Sequence, residues 1–110
     1  MGIVNDMIFV RKNTQEFEGP FLEVGSKNYG NTQPIREFFP ATALYRGVDI
    51  ESGPGVDVVL DLGGKIDQID NTLGTLRFGT IFCLNMLEHC ENPFQVADNL
   101  MSLLKPGGKI

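Results

Sequence analysis

The sequence predicts an α/β fold: a Rossmann-like, doubly wound, mostly parallel sheet in a three-layer α/β/α sandwich, C-terminally shortened. Three observations predict it. Short apolar runs at 21–24, 44–50, 56–62 and 78–86 alternate with segments of helical spacing, the pattern that parallel strands joined by right-handed crossovers require. The first run ends in an acid, Glu23, and turns through Gly25. A second acid, Asp49, closes the second run 24 residues after Gly25. In a parallel sheet that holds a nucleoside, such a turn brings backbone close to the ligand and the second acid meets a ribose diol.

The elements follow in order. Residues 3–17 carry apolar positions at Ile3, Val4, Met7, Ile8, Val10 and Phe17 and read as a lead-in helix, which Gly19-Pro20 punctuates. Residues 1–18 therefore stand before the main domain, 19–110. Phe21 to Val24 reads as a buried strand and Gly25 to Thr32 as a polar loop. Gln33 to Phe39 reads as a short helix stopped by Pro40. Leu44 to Ile50 is the second strand and 51–55 a tight turn. Val56 to Leu62 is the third strand, with Val58-Val59-Leu60 suggesting burial on both faces. In 63–77, Ile66, Ile69, Leu73 and Leu76 recur at helical intervals, against which Gly74 speaks. Phe78 to Met86 is the fourth strand.

The last helix has the clearest signals. Asn92 suits the N-cap and Pro93 the first helical position. Val96, Ala97, Leu100, Met101, Leu103 and Leu104 form its apolar face. Lys105-Pro106-Gly107-Gly108 is read as its end, and Lys109-Ile110 as the beginning of a fifth strand.

Composition bounds the function classes. The chain has 110 residues, enough for one small domain, and is 42% hydrophobic, enough for a packed core. Net charge is -5 and the nine Lys and Arg are scattered, which argues against a nucleic-acid footprint. No stretch approaches transmembrane length. Cys83 and Cys90 make no C-x-x-C pair, and Cys83 lies in an apolar run, so a reducing, cytoplasmic setting fits.

The loop at Gly25 narrows the cofactor. A dinucleotide fingerprint wants glycine at positions 25, 27 and 30. Gly25 and Gly30 are present, but Lys27 stands where backbone would approach a pyrophosphate. Glu23 sits poorly beside a diphosphate and well beside an ammonium or sulfonium group.

These segments resemble the class I S-adenosylmethionine-dependent methyltransferases, especially the "type 11" group. Phe-Leu-Glu-Val-Gly-Ser (21–26) is similar to the family's glycine-rich turn, and Tyr-Arg-Gly-Val-Asp-Ile (45–50) to the strand whose acid binds both ribose hydroxyls. Val-Asp-Val-Val-Leu-Asp-Leu (56–62) is similar to the strand that ends at the adenine. Residues 78–89, with Leu-Glu-His, and Leu-Leu-Lys-Pro-Gly-Gly (103–108) resemble the fourth strand and the helix-ending signature. The family's E-x-G-x-G-x-G reads here Glu23-Val-Gly25-Ser-Lys27-Asn-Tyr29-Gly30, one glycine short. Gly79 stands where the family commonly has aspartate. Its sheet has about seven strands, whereas this sequence stops as the fifth begins.

The resemblance implies S-adenosylmethionine as cofactor and methyl transfer to an unidentified acceptor, with no metal needed. It implies cofactor contacts at Glu23, Gly25, Ser26, Gly30, Asp49, Ile50, Asp61, Leu62, Asn85 and Met86. Each has a plainer reading: Gly25 as a strand terminator, Asp49 as a solvated turn acid, Glu23 as a cap for nearby backbone, Asp61 as an ordinary strand-end acid. His89, the sole histidine, reads as structural before it reads as a general base. The catalytic residues stay unassigned. Two other functions compete: a shortened, non-catalytic module that holds the cofactor or works through a partner, and a nicotinamide-dependent oxidoreductase, disfavoured by Lys27 and Glu23. The fourth strand and the last helix's apolar face call for cover by a second copy or another chain.

Overall fold

The protein is described by a computed structural model covering residues 4–30, 33–84 and 90–110. Among these residues one sheet of five parallel strands forms, in the order β3-β2-β1-β4-β5. The strands are β1 (Phe21–Val24), β2 (Tyr45–Asp49), β3 (Val58–Val59), β4 (Phe78–Phe82) and β5 (Leu104–Lys109). The helices are α1 (Val4–Lys12), α2 (Ile66–Leu73) and α3 (Pro93–Leu103). The chain works outward from β1 to β3, then returns to the other side of β1. This reversal is the topological switch point at which doubly wound sheets place their ligands.

Right-handed crossovers running in opposite directions cover opposite faces, and the two cores show it. Phe21, Tyr45 and Phe82 pack on one face with Val10 of α1 and with Ile35 and Phe39 from the β1–β2 connection. The rings of Phe21 and Phe82 stack at 6.2 Å between centroids, and Phe39 lies 4.3 Å from Phe21. Leu22, Val24, Val48 and Ile81 face the other way, onto Ile69 of α2 and Val96, Leu100 and Leu103 of α3. The predicted doubly wound, parallel α/β architecture is the observed one.

Individual elements depart from the sequence reading. The lead-in helix stops at Lys12 and is followed by a 3₁₀ turn at Thr14–Glu16. The helix expected over 33–39 is a single 3₁₀ turn, Ile35–Phe38. The third strand is two residues long, and Val59 is exposed: β3 is an edge strand with one covered face. Gly74, read as weakening a helix, ends one, taking φ +68 just past Leu73. Asn92 caps α3 by accepting from the Gln95 N–H, with Pro93 behind it.

The end of α3 differs most. The helix gives way at Leu104, and the Lys-Pro-Gly-Gly segment belongs to β5 itself. Phe78 pairs with Leu104 and Thr80 with Lys109, so Pro106 to Gly108 bulge out of register. Pro106 is tolerated because the bulge needs no ladder donor from it. Residues 85 and 86, the expected end of β4, lie outside the described residues.

Candidate functional site at the carboxyl edge of the sheet

The carboxyl ends of β1, β2 and β3 are joined by short polar bonds. Gly25 leaves β1 with φ +72, a conformation natural to glycine. Its N–H and that of Ser26 both reach the Val48 carbonyl, at 2.9 and 3.0 Å. The next amide, on Lys27, donates to Asp49 Oδ2 at 3.1 Å, while Asp49 Oδ1 accepts the Glu51 N–H at 3.1 Å. Each Asp49 oxygen thus holds one backbone donor. A carboxylate has about four acceptor positions, so capacity for two further donors remains.

The β2–β3 connection seals this loop from above. Asn28 N–H donates to the Pro54 carbonyl at 2.8 Å, and Lys27 Nζ, which lies over the Tyr29 ring, pairs with Glu51 at 2.7 Å. Two glycines make the crossing feasible. A Cβ on Gly47 would lie 2.2 Å from the Gly55 carbonyl oxygen and 2.7 Å from Ser26 Oγ. Gly55, at φ +86, is itself packed on the Ser26 carbonyl. The sequence reading missed both glycines. A glycine inside a strand is the signal for close backbone approach that would have found Gly47.

Behind the turn a polar chain runs from a buried acid out to the surface. Glu23 is 7% exposed, and Tyr45 donates its hydroxyl to Glu23 Oε1 at 2.8 Å. Arg36 lies over the Tyr45 ring at 4.7 Å, donates to the Tyr45 carbonyl at 3.2 Å, and forks onto both oxygens of Asp57. Asp57 in turn accepts the Gly47 N–H at 2.7 Å. Burial raises the Glu23 pKa to about 7, with the Tyr45 bond and the Arg36 charge pulling the other way. Burial and the neighbouring Glu23 carboxylate push the Tyr45 phenol far above its usual range, so it remains a donor. Burial works to raise Asp57, but its bonds from Arg36 and the Gly47 amide outweigh that and hold it low.

The other residues singled out in the sequence are distributed as follows. Ile50, just past Asp49, is 66% exposed. Asp61 follows directly, since the Leu60 N–H bonds the Asp49 carbonyl at 2.9 Å; its Oδ1 accepts from Gly63 in a tight turn. The Leu62 side chain points into the core with Ile69 and Val96, and its carbonyl accepts from Asn99 of α3 at 2.7 Å. Asn99 is buried and also donates to the Gly64 carbonyl, fixing the β3–α2 turn. Ser26 is buried against Gly47, and its Oγ has no hydrogen-bond partner among the described residues. Gly30 lies at the exposed far end of the loop, its N–H on Asn28 Oδ1. Thus Gly25, Ser26, Asp49, Ile50 and Asp61 gather along one edge, with Glu23 two residues before the turn on β1. Asn85, Met86 and His89 fall outside the described residues.

A separate apolar groove of about 630 Å³ runs along the outer side of β4, between Phe9 of α1 and Met101 of α3. No described helix is long and apolar enough to cross a membrane. Comparison of the chain with protein-family models, with curated proteins and with solved structures gives no match.

Proposed function

We propose that the carboxyl edge of this sheet binds S-adenosylmethionine and that the chain is a methyltransferase domain. One observation carries the reading: Asp49 is held beside the Gly25 turn by one backbone amide on each oxygen, leaving acceptor capacity for a ribose diol. Glu23 supports it. A buried acid raised to about pH 7 gains from any cationic ligand group placed against it. Exposed Ile50 offers an apolar flank for a base.

The cofactor would supply the transferable methyl group and its leaving group when bound. Gly25 and Lys27 would fix the nucleoside through the carboxylate of Asp49, and Glu23 would hold the charged end. The hydrogen bond and ion pair that tie residues 51–55 to the loop leave it little to reorder on binding. The acceptor is unassigned. The cytoplasm is the proposed location, because two cysteines without a paired motif suit a reducing compartment.

The nicotinamide alternative is weakened by Lys27, whose side chain lies across Gly53 at the position that would have to be open to a diphosphate. The partner-dependent module draws on the apolar groove along β4. Isothermal titration with S-adenosylmethionine or its demethylated product decides the main reading. Binding is expected for the wild type and loss of it for Asp49→Ala with the fold intact by circular dichroism. A folded wild type that takes up neither compound ends the proposal.

A further inference from the structure

We infer that Lys27 and Glu51 are positioning residues: their side chains close a clasp that sets the plane of the Asp49 carboxylate and so makes the site selective for an intact ribose diol. The inference rests on the cofactor reading above and goes beyond it by assigning diol selectivity to an ion pair. The two residues whose amides hold Asp49 are the same two whose side chains meet. Lys27 N–H donates to Asp49 Oδ2 and Glu51 N–H to Oδ1, while Lys27 Nζ reaches Glu51 Oε2 at 2.7 Å. Backbone and side chains therefore close one ring, with the carboxylate at one end and the ion pair at the other.

The ring matters because the terminal torsion of an aspartate is soft, so its own side chain does not fix the plane of the two oxygens. A diol bonds both oxygens at once only when that plane faces it. Rotation of the carboxylate breaks both amide bonds, and the ion pair keeps the two amides at one separation. The lysine stem is threaded as well. A Cβ on Gly53 would lie 3.0 Å from Lys27 Cε and 3.2 Å from its Cγ, and the ammonium stands over the Tyr29 ring at 5.1 Å. The side chain thus follows one path across the β2–β3 connection. Its bond to Glu51 raises the pKa of the ammonium, which stays charged. The Glu51 side chain is 60% exposed and that of Lys27 22%, so salt screens the pair and its contribution is modest.

The test measures, by titration calorimetry, the ratio of affinities for S-adenosylhomocysteine and for its 2′-deoxy analogue, which offers Asp49 a single hydroxyl. The wild type should prefer the intact diol by about thirtyfold. Lys27→Met keeps the stem and Glu51→Gln keeps the shape. Each should lower the ratio about threefold, through weaker binding of the diol ligand. Combining them should cost no more than either alone, because the pair acts as a unit. Raising salt from about 0.05 M to about 1 M should lower the wild-type ratio by a similar factor and leave the variants' ratios flat. A merely structural pair would weaken both ligands alike and leave the ratio unmoved. An unmoved ratio in either folded variant, additive losses in the double variant, or a wild-type ratio indifferent to salt overturns this inference and leaves the cofactor reading standing. A wild type that binds both ligands equally, or neither, overturns the two together.

Discussion

The two halves of the sheet share their apolar cores but differ in how their edges are fastened. The β1–β2–β3 half is fastened at its carboxyl edge by polar bonds between backbone and a few acids: Asp49 on two amides, Asp57 on Gly47 and Arg36, and Pro54 on Asn28. The β4–β5 half is held by apolar packing of Leu100, Leu103 and Val96 against Ile81, with the ladder meeting only at Phe78 and Thr80 around a bulge. Directional bonds fix atoms to within tenths of an ångström, whereas dispersion and burial fix volumes. The half with fixed atoms is the one suited to recognise a small polar ligand. The other half leaves an apolar groove at its margin, suited to shape rather than to hydrogen bonding.

That contrast can be broken most forcefully at Gly47. Gly47→Ala drives a methyl group into the Gly55 carbonyl, and a loss of about 4 kcal/mol is expected on denaturant unfolding, because backbone must move. A near-neutral result would show that the 51–55 connection does not cross β2 as described. On the apolar side, Leu100→Ala should cost about 3 kcal/mol through the cavity it leaves, yet spare ligand affinity at the other half. A change in affinity as large as the change in stability would erase the division between the halves.

Acidity sharpens the comparison further. The Glu23 pKa of about 7 lies above the ordinary value of 4.5, so between these pH values the native state keeps a proton that the unfolded chain has lost. Stability from this group is full below about pH 4.5 and falls as pH rises through about 7, by roughly 2–3 kcal/mol. Asp57 acts oppositely, its contribution being lost as pH falls through its lowered value. Glu23→Gln should remove the decline between about pH 4.5 and 7 in the unfolding midpoint; an unchanged slope would mean the carboxylate is not desolvated. The smallest effect is expected at Ser26. Its Oγ is buried without a partner among the described residues, so Ser26→Ala should shift stability by no more than about 1 kcal/mol, toward greater stability, because an unsatisfied hydroxyl is removed. Clear destabilisation, measured the same way, would reveal a partner for that hydroxyl.

Much of the fold was legible because period and punctuation are local. The run Phe21 to Val24 before Gly25, the run ending at Asp49, and Asn92-Pro93 before an apolar stripe each announce an element within a few residues. Reading failed where the decision was made elsewhere in the chain. Val58-Val59-Leu60 looks like an interior strand, but β3 has a neighbour on one side only, and its two residues end in the Asp61 turn. Leu62 reads as the end of the third strand, and Asn99 is not among the residues read as the last helix's apolar face. In space they meet: Leu62 is core, and Asn99 caps its carbonyl.

The same divide runs through the candidate site. Gly25 and Asp49 were legible because a strand-ending turn and an acid at the end of the next strand need no distant partner to be recognised. Tyr45, Arg36, Asp57 and Gly55 were not, since nothing local marks a tyrosine as the donor to an acid 22 residues earlier.

The sequence by itself determined the alternation of strands and helices, the glycine turn after β1 and the acid at the end of β2, because hydrophobic period, backbone freedom and capping act over a few residues. Only the tertiary structure decided that Glu23 is buried under Tyr45, that Ser26 lies beneath Gly55, and that β5 meets β4 through a bulge. Those outcomes depend on which strand lies beside which and how closely their backbones approach, and desolvation and steric contact are properties of neighbours in space.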